Sequence, residues 1–369
     1  MWRRILALVH KEFLALLKDP KSRLVLVVPP LVQLLVFGYA ATFDLRQVPI
    51  AVLDEDRGSA SRELLAAFGG GTTFLQVAQL RSEDEIAPLV DRRKVLAVIH
   101  VGPRFTDDLL SGRPAPLQVI IDGRNSNTAM IAMNYVRSVV DRFNADWIAA
   151  RGLQSPPARL ETRAWFNPNL ESRWFFIPGI VGMLTLVVTM LVTALTVARE
   201  REQGTFDQLL VTPLRPGEIL LGKTVPGFVI GTLQATLIMV VARAWFGVPF
   251  LGSLAAFYAG LALFLLSAVG AGLLISSLSA TQQQGLLGAF LFMVPAVILS
   301  GFATPIANMP EAVQLVTYVD PLRYFLVILR KVFLEGADFA LVADQLWPMA
   351  VIGAVTLSLA SWLFRHRMY

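Results

Sequence analysis

The chain has 369 residues, 55% hydrophobic and only 16% charged, with a formal net charge of +5 and no cysteine. A globular protein carries about 25% charged residues, so an ordinary soluble fold is excluded, and with it go thiol nucleophiles, thiolate metal sites and disulfides. The basic excess does not point to nucleic acid, because Lys and Arg gather at the ends of apolar runs, where membrane topology signals sit.

In chain order, residues 2–17 place Trp2, Ile5, Leu6, Val9, Phe13, Leu16 and Leu17 on one helical face and Arg3, Arg4, Lys11 and Glu12 elsewhere. That pattern predicts an amphipathic helix within 1–22, lying in the membrane interface and leading into the first span. No Asp, Glu, Lys or Arg occurs in 24–43, 174–198, 224–242, 244–310 or 345–364. Since about 20 helical residues cross the hydrocarbon, the 67-residue block 244–310 holds two spans and each other block one. Six spans are expected, near 23–43, 174–198, 224–242, 252–278, 284–302 and 343–364. Pro29-Pro30 should kink the first. A cleavable leader ending near Gly38-Tyr39-Ala40 fits less well, since its apolar part would exceed the about 7–15 residues such leaders use.

Basic residues crowd 1–23, the 199–223 loop and the tail, and an even number of spans puts all three on one side, which the excess makes the cytoplasm. Both termini are therefore expected there.

Residues 44–173 differ in character. VPIAVLD (48–54), KVLAVIH (94–100) and PLQVIID (116–122) read as buried strands, and 59–68, 82–93 and about 125–150 read as helices. The alternation predicts an inserted α/β domain outside the membrane, between spans one and two of an α-helical polytopic membrane protein. Its exit is a Pro-rich linker at 154–157, followed by an aromatic belt of Trp165, Phe166, Trp174, Phe175 and Phe176. The acidic turn Asp54-Glu55-Asp56 could hold a cation, although a solvated turn is the simpler reading.

In the second span Thr185, Thr189 and Thr193 form a stripe at helical spacing. They fit hydroxyls bonding back to their own helix, a helix interface, or a weakly polar pathway wall. PGEILLGKT (216–224) meets the phosphate-loop pattern, but its variable residues are apolar helix formers, no strand precedes it, and a span follows at once. The stretch reads as a hinge before span three, with Lys223 as a snorkelling anchor. The apolar segment 305–340 predicts short helices dipping into the outer leaflet rather than a plain loop. His10, His100 and His366 are too scattered for a metal or nucleophilic site.

REREQGTFDQLLVTPL (199–214) with GKTVPG (222–227) resembles the cytoplasmic signature of type-2 ATP-binding-cassette exporter permeases. NPNLESRWFF (167–176), DGRNSN (122–127) and ISSLSATQQQ (275–284) extend the resemblance over essentially the whole chain, towards bacterial multidrug-efflux permeases with a large external domain. Gly217, which completes the false phosphate loop, is the one departure.

The resemblance implies a non-catalytic transport subunit of the bacterial inner membrane that exports drugs or other amphipathic molecules. It would pair with a second permease, identical or homologous, and with a separate cytoplasmic ATPase that carries the ATP and Mg, while the chain itself binds no cofactor. A periplasmic membrane-fusion adaptor is a further partner for 44–173. The resemblance also implies a coupling helix within 199–212, docked on the ATPase through Arg199, Glu200, Arg201, Glu202, Gln203, Gly204, Thr205, Phe206, Asp207, Leu209 and Leu210. From another class, a membrane sensor or assembly scaffold whose external domain binds a ligand or protein fits the same composition.

Overall fold

A computed structural model describes residues 2–18, 20–40, 45, 47–124, 126–151, 166–167, 171–206 and 214–366. The linker 154–157, Trp165, Asp207, Leu209 and Leu210 lie outside the described residues. The chain divides into two compact units, one of Met1–Ala41 with Ala164–Tyr369 and one of Thr42–Arg163.

Helix α1 spans Trp2–Lys18 and α2 spans Pro20–Ala40, which contains Pro29 and Pro30.

The second unit is built on a four-stranded sheet in the order β2-β1-β3-β4. Strand β1 is Val48–Asp54, α3 is Ser59–Gly69, β2 is Phe74–Leu80, α4 is Ile86–Asp91, β3 is Ala97–Val101, α5 is Phe105–Leu110, β4 is Leu117–Ile121 and α6 is Ser126–Arg151. Strands β2 and β3 flank β1 in parallel, and β4 closes the edge antiparallel to β3. One face of the sheet packs Val48, Ile50, Ala97, Ile99 and Val101 against Leu64 of α3, Phe105 of α5 and Val136 and Phe143 of α6. The other packs Ala51, Leu53 and Val98 against Ile86 and neighbours on α4. Strand β2 and helix α5 were not expected. FLQVAQL interrupts its apolar residues with two glutamines, and its middle is largely exposed, so it lacks the continuous run that marks a buried strand.

In the first unit α7 spans Ser172–Glu202, α8 Pro216–Ala244, α9 Leu254–Leu278, α10 Gln282–Leu299, α11 Glu311–Val316, α12 Pro321–Arg330 and α13 Phe339–His366. By length and composition, five of these (α7, α8, α9, α10 and α13) can cross a membrane, or six if the bent pair described below counts as one span. Helix α7 is the most enclosed, with neighbours α2, α8, α9, α10 and α12 around it. Hydroxyl caps start two of the helices: Ser253 accepts from Ala255 and Ala256 N–H, and Thr281 accepts from Gln284 N–H.

Between α10 and α13, the pair Glu311–Val319 and Pro321–Glu335 is bent by 85°. Pro321 opens α12 and the Asp320 carboxylate accepts from Leu322 N–H at 2.9 Å. A proline at the first helical position cannot continue the preceding helix, so the chain turns there.

Candidate functional site

Arg199–Glu202 do not open a separate helix. They complete the last turn of α7, and residues 207–212 of the expected coupling helix lie outside the described residues. The stop is made at Gly204, which takes φ of +67°. Gly204 N–H donates to Arg201 O at 3.1 Å and Thr205 N–H to Glu200 O at 3.0 Å. That pair of bonds closes a helix around a left-handed residue, a conformation that costs little only for glycine.

Just beyond, Phe206 is 7% exposed. It packs with Leu8 of α1, Val197 of α7 and Ile219 of α8, and meets the Phe364 ring of α13 edge-on at 5.9 Å. The resemblance implies that Phe206 docks on the ATPase. The structure holds Phe206 inside the chain, because four helices converge on it. Arg201 lies 5.0 Å over its ring and donates to Ser277 O at 2.8 Å and Ser279 O at 3.2 Å. Glu202 accepts from Gln282 N–H at 2.8 Å, and Arg199 donates to Gln282 Oε1 at 3.5 Å. The end of α7 is thus tied to the α9–α10 corner, with Glu202, Gln203 and Gly204 exposed and Thr205 half-buried.

PGEILLGKT forms the opening turns of α8. The Glu218 carboxylate accepts from Arg215 N–H at 2.9 Å, and Glu218 N–H donates to the Arg215 backbone carbonyl at 2.9 Å at the helix start. A phosphate loop needs backbone N–H groups bent free of a helix, whereas here they are helical. Gly222 instead admits α1: a Cβ there would lie 2.4 Å from Leu8 Cδ2.

That close approach brings Glu12 to Lys223. Lys223 Nζ donates to Glu12 Oε1 at 3.2 Å and contacts Glu200 Oε2 at 2.6 Å, an ion contact outside hydrogen-bond angles. Lys11 Nζ donates to Glu200 Oε1 at 2.5 Å and lies 3.5 Å from Glu12. Lys223 is 0% exposed, so it is the buried centre of a four-charge cluster and not a snorkelling anchor. Burial alone would lower the Lys11 pKa, but its hydrogen bond to Glu200 and the charges of Glu200 and Glu12 outweigh that and raise it. Lys11, Glu12 and Lys223 were not read as functional, and only their contrast with apolar surroundings could have signalled it.

Thr185, Thr189 and Thr193 are fully buried. Thr185 donates back to Val181 O at 2.6 Å and Thr193 to Thr189 O at 2.7 Å. A Cβ at Gly231 would meet Thr189 Oγ1 at 2.6 Å, and one at Gly272 would meet Thr193 Oγ1 at 1.8 Å. The stripe therefore lies in the seam where α7 meets α8 and α9, with glycines setting the approach.

In the sheet unit the acidic turn is absorbed by its own loop. Asp54 accepts from Arg57 N–H and the Ser61 hydroxyl, while Asp56 accepts from Gly58 N–H and from both the N–H and the hydroxyl of Thr106. Burial would raise the Asp56 pKa, but the bonds from Thr106 and Gly58 outweigh it and hold it below 3.8. Among the described residues no group of three or more His, Cys, Asp or Glu could hold a metal. His100 bonds Glu55 at 3.0 Å and Gln118 at 2.8 Å. Asp122, in the DGRNSN run, is held at about 2 by its hydrogen bonds from Arg124.

A family described as "ABC-2 family transporter protein" matches residues 22–362. The chain is 42% identical over 368 residues to the "Probable multidrug ABC transporter permease YbhR" of Escherichia coli (strain K12), covering 100% of both chains. It is 34% identical over 373 residues to the "Probable multidrug ABC transporter permease YbhS" of the same strain, covering 99% of this chain and 97% of the other. With the "Linearmycin resistance permease protein LnrN" of Bacillus subtilis (strain 168) it shares 23% identity over 358 residues, covering 91% and 92%. Matched from within its second helix to within its last, the chain belongs to the ABC-2 family of transporter proteins.

Proposed function

We propose that this chain is the permease of an exporter for drugs or other amphipathic small molecules. Two permease chains form the pathway across a bacterial inner membrane, and a separate cytoplasmic ATPase hydrolyses the ATP and holds the Mg. In this reading both termini and the α7–α8 connection are cytoplasmic, and the unit around 44–173 is an extracytoplasmic α/β domain open to a periplasmic adaptor. The relatives named as multidrug permeases support the class of cargo.

The observation that carries the coupling is the cluster of Lys11, Glu12, Glu200 and Lys223. It binds α1, α7 and α8 into one body through charges that cannot separate cheaply when buried. Gln203, Gly204 and Thr205, with Asp207, Leu209 and Leu210, are the segment offered to the ATPase. A push there reaches α7 through the Gly204 stop and α1 and α8 through the cluster. Phe206 serves as the apolar pivot beneath it, while Arg199, Arg201 and Glu202 carry the push on to the α9–α10 corner. The threonine stripe lets the helices around α7 shift against small residues.

Inverted vesicles holding this chain and a co-expressed cytoplasmic ABC ATPase should take up ethidium when ATP is added. A Leu209→Asp/Leu210→Asp variant should insert normally, lose ATPase co-purification and cut uptake about tenfold, a change of ~1.4 kcal/mol. Unchanged co-purification would remove the docking assignment. ATP binding by the purified chain alone would overturn the reading.

A further inference from the structure

The sheet unit contains a cavity of about 310 Å³ under its edge strand. On β3 every residue is buried, but on β4 Leu117 and Val119 are only half-buried. Register pairs Ile99 with Val119 and Val101 with Leu117, so the apolar face that α6 covers over β3 stays partly unfilled over β4. Ala115, too small to plug the gap, and Met133 of α6, a flexible side chain suited to varied shapes, also line it. Arg137, Asp141 and Asn144, exposed on α6, form the polar part of the lining. Arg137 and Asp141 stand one turn apart, yet neither is in an ion pair among the described residues. An apolar chamber with a few convergent polar groups at its mouth has the composition of a small-molecule site, and its volume reaches the lower end of their usual range of about 300–1,000 Å³.

We propose that this cavity binds a small amphipathic molecule. Its apolar body packs on Leu117, Val119 and Met133, and its ionised head lies at the mouth, a carboxylate on Arg137 or an ammonium on Asp141. Its role, sampling cargo at the sheet unit before or after export, rests on the export reading. The binding itself does not.

The test uses the full chain in lipid nanodiscs with two diazirine-tagged probes, a phenylalkyl ammonium and a phenylalkyl carboxylate. Each should label peptides within 105–144, and excess untagged compound should compete that label away. Val119→Trp, which fills the chamber, should lower this label at least about fivefold while leaving labels on the helical unit unchanged. Two exposed-site variants settle the matter even if that one folds poorly. Arg137→Glu should lower the carboxylate label about fivefold and spare the ammonium, and Asp141→Lys should do the reverse. Absence of a competable label in 105–144, or labels indifferent to both charge variants, would sink the proposal. Ethidium uptake by inverted vesicles holding this chain and the co-expressed ATPase separates the two readings: uptake without cavity label ends only this one, and label without uptake ends only the export reading.

Discussion

Removing Lys223 would leave Glu12 and Glu200 buried around a single, half-exposed Lys11. Breaking a buried pair by deleting one partner typically costs about 3–5 kcal/mol, and Lys223 is wholly enclosed. Lys223→Met should therefore lower the thermal midpoint of the purified chain sharply. The double variant Lys223→Met/Glu200→Gln should recover part of the loss, since it removes the one excess negative charge and leaves Glu12 beside Lys11. A single variant that melts like the parent would mean the cluster is not stabilising. None of this was legible from the residues themselves, because the partners lie 189 and 211 positions apart, and Glu12 read as one more polar-face residue of an amphipathic helix. His100 offers a second test. Burial would lower its pKa, but the hydrogen bonds its ring makes to the Glu55 carboxylate and the Gln118 amide oxygen and the charges of Glu55 and Glu83 outweigh this and raise it above 6.5. The folded state therefore prefers the protonated ring. The resulting stability is complete below about pH 6.5, the unfolded value, and is lost as pH rises through the raised folded value. Hydrogen exchange at β3 should accelerate across that window in the parent chain, and His100→Gln should flatten the dependence.

At the scale of elements, α7, α8, α9, α10 and α13 were legible because each lies on a charge-free run long enough to span hydrocarbon, a signal that needs no knowledge of neighbours. Their ends were less so. RERE before Gln203-Gly204 reads as the opening of a new helix, yet it closes α7, since the left-handed turn at Gly204 depends on bonds back to Arg201 and Glu200. PGEILLGKT likewise reads as a hinge until Gly222 is seen facing Leu8. The threonine stripe gives this scale its prediction. Gly272→Ala would drive a Cβ into Thr193 Oγ1, and overpacking of this kind costs about 1–3 kcal/mol. Detergent-solubilised Gly272→Ala should melt earlier than the parent, and adding Thr193→Ala should restore most of the loss by clearing the space. Failure of that rescue would place the strain elsewhere.

Over the whole molecule, each unit has its own core, and the apolar faces of α2, α10 and α13 stay open at positions such as Val32, Leu291 and Val355. Lipid tails and a second chain offer such faces equally apolar cover, which is why the sequence led to two-chain assembly only through family resemblance. The four-charge junction has an electrical consequence. Two lysines and two glutamates sum formally to zero, so shifting the group as one body does no work against the transmembrane voltage. A lone unit charge would exchange about 2.3 kcal/mol with each 100 mV it crossed. Uptake per ATP of an uncharged amphipathic dye should be indifferent to a potassium diffusion potential in the parent chain. Lys223→Met, left with one net negative charge, should become voltage-sensitive, and a parent chain already sensitive would show that other charges move in the stroke.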